Sequence, residues 1–255
     1  MEHQGAIAYG NYYMRGYLGS MIPKNMDWDY IIVHETGHEY FGNSVSCKDI
    51  AEYWIHESFT TYMEALFVEC AYNYDEAVNY LVMQRSLIRN AEPMVGPLNV
   101  NFEGWTSSDH YYKGAWMLHT LRHAIHDDET WFDLLRSFYN RYALSNITTQ
   151  DFILFVNQCT KKDFTPILEQ YLYYHTVPVL EYSIQAQGKK NTKLKYRWVT
   201  DVSNFNMPIL VGKKGNYQLI TPTNEWNQMV LDNVTINNFK VATELFYVNA
   251  VLVEN

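Results

Sequence analysis

The sequence predicts an α+β fold with its helices first and its strands last, and three observations lead there. Long stretches between about residues 25 and 174 carry apolar side chains at helical spacing. After Thr176-Val177-Pro178 the pattern shifts to short alternating or β-branched runs separated by turn residues. Finally, 47% hydrophobic and 18% charged residues in a 255-residue chain are enough to build one large or two ordinary cores.

In chain order, residues 1–13 centre on Ala6, Ile7, Ala8 and Tyr9 and read as a short strand ended by Gly10-Asn11. A Gly- and Pro-containing loop follows. Asn25 or Asp27 then caps a helix to about Phe41, stopped by Gly42-Asn43. A polar link, Ser44 to Lys48, leads to a helix over about Asp49–Tyr72, where Ile50, Trp54, Phe59, Met63, Leu66, Phe67 and Cys70 mark the apolar face. A third helix spans about Tyr74–Asn90. The Pro-, Gly- and Ser-rich loop after it excludes helix and suits a cleft wall. Ser107 or Ser108 caps a helix over Asp109–Ile125, and helices near 128–142, 149–159 and 164–174 follow. From Val179, the runs EYSIQAQ, KLKYRWVT, PILVG, YQLITP, KVATELFYV and AVLVE form a small all-β module, read as a sandwich.

Charge narrows the function classes. The formal net charge is −9, and the basic pairs Lys161-Lys162, Lys189-Lys190 and Lys213-Lys214 sit in turn-like sequence. Nucleic acid is therefore not an expected partner. No run is long enough to span a membrane, and no basic-then-apolar leader opens the sequence. Cys47, Cys70 and Cys159 are widely spaced and read as free buried thiols, with Cys47 set aside as a metal ligand. The 22 tyrosines suggest an aromatic interior and cleft.

The chemistry lies in His34-Glu35-Thr36-Gly37-His38. Histidines four apart share one helix face, so their imidazoles can converge on one metal ion. Zinc suits them, because a catalytic zinc takes three protein ligands and keeps a fourth position for water. Glu35 points off the ligand face and can accept that water's proton. Two histidines leave a third ligand to be found. The link is short, so antiparallel packing returns Glu57 to the histidines, and Trp54, Ile55 and Phe59 mark its surroundings as packed.

An H-E-x-x-H followed after eighteen residues by Glu is similar to the signature of the gluzincin metallopeptidases. The surroundings resemble the aminopeptidase N family, which includes the leukotriene epoxide hydrolases. Phe41-Gly42-Asn43 matches the family's tail after the metal motif, and Trp54-Ile55-His56-Glu57-Ser58-Phe59 resembles its W-L-N-E-G-F. Tyr111-Tyr112-Lys113-Gly114-Ala115 matches its Y-x-K-G-A, and Met1-Glu2-His3-Gln4-Gly5 resembles its G-x-M-E-N from the Met onward. His3, His56 and Ser58 depart from the family pattern.

The resemblance implies a thermolysin-like zinc peptidase catalytic domain over residues 1–176, without its N-terminal part, and a β-sandwich over 177–255. It implies one Zn²⁺ held by His34, His38 and Glu57, with Glu35 as base, Tyr111 as oxyanion donor and Glu2 as the carboxylate that binds a peptide's free α-ammonium. The implied reaction is removal of N-terminal residues from peptides. A different reaction at the same metal, epoxide hydrolysis, and a zinc-binding fragment without turnover are the alternatives. Glu64, two turns beyond Glu57, is either an orienting partner of a zinc histidine or a surface acid. His56 and His110 read as packing or cleft-lining residues. The sequons at Asn146 and Asn233 carry little weight.

Overall fold

The structure, a computed structural model, describes residues 4–7, 9–20 and 26–254. Its helices are α1 (Tyr30–Gly37), α2 (Trp54–Ala71), α3 (Tyr74–Gln84), α4 (Asp109–Ile125), α5 (Asp128–Tyr142), α6 (Thr149–Thr160) and α7 (Thr165–Tyr173). Two short strands, β1 (Val45–Cys47) and β2 (Ser145–Ile147), pair in parallel among them. The chain is α+β, as its periodicity predicts.

Helix boundaries follow local chemistry. Asp29, rather than Asn25 or Asp27, caps α1 by accepting from the Ile31 N–H. Asp27 instead pairs with Arg15, and Asn25 lies outside the described residues. Asn73 caps α3, and Thr148 with Asp151 forms a capping box on α6, satisfying donors that a helix start leaves free. The helix expected to run to Phe41 stops at Gly37. The segment beyond it turns back so that Gly42, at φ +132, donates to the Val45 carbonyl.

The strand expected over residues 1–13 is absent from its described part. Among the described residues no strand lies beside it to complete a ladder, so local turn chemistry prevails. Gly5 adopts φ +64, and the Asn11 side chain gathers the Tyr9 hydroxyl, the Met14 and Gly16 carbonyls and the Leu18 N–H.

Helix α2 is the axis of the first half. Its residues Trp54 to Tyr62 are all buried, and it packs on α1, α3 and α4. Two glycines set how close its neighbours come. A Cβ at Gly37 would lie 3.2 Å from Thr60 Cγ2, and one at Gly114 would overlap the Ser58 hydroxyl at 1.7 Å. Fully buried Trp54 and Trp116 fill the core while their indole N–H groups find acceptors, at Thr149 Oγ1 (2.9 Å) and the Leu81 carbonyl (2.9 Å). Lys113 is buried as well, donating to the Tyr174 and His175 carbonyls at 2.9 and 3.0 Å, and burial pushes its ammonium down to about 8.

The strands β3 (Val179–Gln187), β4 (Asn191–Val199), β5 (Ile209–Lys213), β6 (Asn216–Ile220), β7 (Asn227–Leu231), β8 (Phe239–Val241) and β9 (Asn249–Leu252) form two sheets, ordered β7-β4-β3-β9 and β6-β5-β8. Tyr182 of the first meets Phe239 of the second at 5.2 Å. Two readings change here. β7 escaped notice because Asn-Gln opens it, yet it pairs antiparallel with β4. The run KVATELFYV is strand only to Val241. Phe246, Tyr247 and Val248 instead bury against the helices, where the Tyr247 N–H donates to Thr120 Oγ1 (2.9 Å) and its carbonyl accepts from the Tyr171 hydroxyl (2.8 Å).

Gly114→Ala is expected to destabilise the fold by about 1–3 kcal/mol in denaturant unfolding, because the new methyl overlaps a packed side chain. Adding Ser58→Gly should restore most of that loss. Wild-type stability in Gly114→Ala alone would contradict the helix approach described.

Candidate metal centre

His34 lies in the last turn of α1, and His38 is the residue that caps it. The early end of the helix does not separate them. His38 keeps helical φ −63 and ψ −21 and donates its N–H to the His34 carbonyl, so the two rings meet at 4.8 Å. Glu57, in the first turn of α2, comes to them across the helix pair. Its Oε2 is 3.0 Å from His34 Nε2 and 3.6 Å from His38 Nε2. Among the described residues, this is the one group of three His, Cys, Asp or Glu side chains whose donor atoms converge, all within 4.8 Å.

Hydrogen bonds behind the rings decide which nitrogen faces inward. His38 Nδ1 is 2.9 Å from the Phe41 carbonyl, which can only accept, so Nδ1 carries the proton and Nε2 presents its lone pair. His34 Nδ1 is 2.8 Å from Glu64 Oε1. Glu64 is buried and held in turn, its Oε2 accepting from the Tyr80 hydroxyl and from Gln84 Nε2 (2.9 Å). Of the two readings of Glu64, the surface acid is excluded. The acid that orients His34 is itself oriented by α3.

Burial disfavours a charged imidazole, but the hydrogen bonds and negative charges of Glu57 and Glu64 outweigh it and hold His34 well above its ordinary range. The same partnership outweighs the burial of Glu57 and holds its carboxyl low. Two buried carboxylates thus call for positive charge where two imidazole lone pairs meet. Two nitrogens and one oxygen, with both outer nitrogens already engaged, form a donor set that fits zinc.

Glu35 and Tyr111 line the same cavity, of about 390 Å³, together with Glu64, Thr61 and His34. The Tyr111 ring lies 6.0 Å from that of His34 with 21° between their planes. Tyr9, Tyr17, Tyr30 and Tyr112 complete an aromatic wall, the cleft that the tyrosine content suggested. Glu2 and His3 lie outside the described residues.

Other candidates find structural places. His56 Nε2 accepts from the Cys47 N–H at 2.8 Å, tying α2 to β1. Buried His110 packs between Trp105 and Tyr111, and burial lowers its pKa. None of the three cysteines is in a disulfide, and Cys70 and Cys159 are exposed rather than buried, because they fall on the outer faces of α2 and α6. Sequence reasoning missed Tyr80 and Gln84. Their four-residue spacing on one helix face was the available signal.

Residues 1–171 match the Peptidase family M1 domain. The chain belongs to that family. Among M1-family relatives, aminopeptidase N of Lactococcus lactis is 25% identical over 71% of this chain and 22% of its own length. Probable aminopeptidase 1 of Sulfurisphaera tokodaii is 22% identical over 94% of this chain and 32% of its own. This M1 chain therefore spans a third or less of these relatives' length. Aminopeptidase A of Legionella pneumophila, solved with aspartic acid, shares the fold at a TM-score of 0.69, with 18% identity over 89% of this chain and 27% of that one. These relatives are named as aminopeptidases, and epoxide hydrolysis finds no support among them. No helix among the described residues is long and apolar enough to cross a membrane.

His38→Ala should lose most bound zinc by metal analysis, and full retention would sink the ligand assignment. Glu64→Gln should keep zinc but bind it about 10–100-fold more weakly, as loss of a ligand-orienting carboxylate does. An unchanged zinc affinity in Glu64→Gln would leave that carboxylate a packing role only.

Proposed function

We propose that this M1-family chain carries the catalytic centre of a zinc-dependent aminopeptidase. The single observation behind the reading is the convergence of His34 Nε2, His38 Nε2 and Glu57 Oε2 beside a cavity that Glu35 and Tyr111 also line. In this reading residues 1–176 supply the catalytic part and residues 177–255 a β-sandwich.

His34, His38 and Glu57 would hold one Zn²⁺, which would supply Lewis acidity toward a peptide carbonyl and lower the pKa of water towards about 7. The residues of the chain do the rest. Glu35 takes the proton of the attacking water and passes it to the departing amine. Tyr111, which lines the cavity from α4, donates a hydrogen bond to the oxygen that gains charge in the tetrahedral species. Glu64, Phe41 and the α3 side chains keep the imidazoles aimed, so little reorganisation accompanies the reaction.

Restriction to the chain end needs a further carboxylate, and Glu2 is assigned to it from the family motif alone. A carboxylate in a partly desolvated site pairs with a free α-ammonium and discriminates against a neutral internal amide.

Hydrolysis of aminoacyl amides by the zinc-loaded, full-length protein tests the reading directly. Glu35→Gln should retain zinc and lose about 10²–10⁴ in rate, since an amide cannot accept the proton. Tyr111→Phe should lower kcat by about 10²–10³ with little change in KM, an oxyanion contact being made mainly in the transition state. Loss in Tyr112→Phe with none in Tyr111→Phe would shift the motif by one residue. N-acetylated peptides should be poor substrates, and Glu2→Gln should weaken free-amine substrates without releasing zinc. Efficient cleavage of acetylated peptides would overturn the exopeptidase assignment.

A further inference from the structure

Tyr111 sits in the first turn of α4, and the start of that helix is fastened to something outside the metal centre. Asp109, 1% exposed, opens α4. One carboxylate oxygen accepts from the Arg89 N–H (2.8 Å) and the other from the Ala91 N–H (3.0 Å). These two amides flank Asn90, which adopts φ +49, a left-handed conformation that needs support in a residue with a side chain. The Asn90 side chain supplies the next link, its Nδ2 donating to the Tyr247 hydroxyl at 2.8 Å.

Tyr247 belongs to the segment after β8 and is itself firmly set. Its backbone bonds Thr120 Oγ1 and the Tyr171 hydroxyl, and its ring lies 5.1 Å from the Arg85 guanidinium and 6.0 Å from Trp116. Arg85 in turn donates to the Phe246 carbonyl at 2.9 Å. From the other side, α2 reaches the same turn of α4: the Ser58 hydroxyl donates to the His110 carbonyl at 2.7 Å. Tyr111 is therefore held between the zinc-ligand helix and a residue of the β half.

We infer that Tyr247 of the β half is a positioning residue for Tyr111, acting through Asn90 and the two-pronged Asp109 carboxylate. The inference rests on the proposed role of Tyr111 and names the partner that fixes it. A hydroxyl that stabilises charge in the transition state must be placed to within a fraction of an ångström, and a small error costs rate rather than substrate affinity. The link carries no charge to the reacting atoms and touches no substrate. Its effect passes only through where α4 begins.

Tyr247→Phe removes the one oxygen in question and keeps the ring packed. In the zinc-loaded protein it should lower kcat about fivefold with KM and zinc content unchanged, and Asn90→Ala should match it. In a Tyr111→Phe background the same change should cost nothing further, since the hydroxyl it positions is gone. Equal losses in both backgrounds would make the contact a general stabiliser and overturn the inference. Amide hydrogen exchange supplies a readout independent of turnover. Residues 109–113 should exchange about tenfold faster in Tyr247→Phe, while residues 30–37 stay unchanged. Should the unsubstituted protein fail to hydrolyse aminoacyl amides, the proposed function falls, and the exchange experiment still decides the link. Unaltered exchange at 109–113 would overturn it.

Discussion

The close approach of two helices to α2 is the constraint on which the rest of the site depends. Glu57 and Glu64 both project from α2, and neither can reach its partner unless α1 lies almost against it. Gly37, between the two histidines, leaves room for Thr60 and permits that contact. Gly114 does the same for α4, where the Ser58 side chain occupies the space a methyl would need. The three converging side chains, the acid behind His34 and the tyrosine are thus brought together by missing side chains as much as by present ones.

Electrostatics gives the cluster its purpose. Two carboxylates placed beside two imidazoles in a buried setting cost folding free energy unless positive charge meets them. The acceptors behind the rings are arranged for one protonation state: a carbonyl behind His38, and a carboxylate with its own two hydrogen-bond donors behind His34. Such groups are oriented before any substrate arrives. That preorganisation matters most where charge develops in a reaction.

The two halves of the chain are less separate than their secondary structure suggests. The segment after β8 leaves its sheet and places Phe246 and Tyr247 among α3, α4 and α7, where Arg85 stacks on Trp116 at 4.0 Å and lies over Tyr247. Strand pairing is given up there in exchange for side-chain partners, so every backbone polar group named in that stretch is still satisfied. The β half is consequently part of the scaffold of α4, the helix that carries Tyr111.

By itself the sequence determined the α+β class, the placing of the helices before the main sheets, and the His34, His38, Glu57 grouping. These are properties of local spacing. A period of 3.6 places residues four apart on one face, and a short link returns the next helix antiparallel. Only the tertiary structure decided what stands behind those residues. Tyr80 and Gln84 look like ordinary helix residues until α3 lies against Glu64, and Glu64 was undecided between two roles until its burial was known. The short β1–β2 ladder joins segments a hundred residues apart, and no run of three residues announces such a partner. The same reason accounts for the strand absent from the described part of residues 1–13 and for the strand that ended at Val241. Alternating side chains express a preference for the extended state, but a strand exists only where another backbone completes its hydrogen bonds.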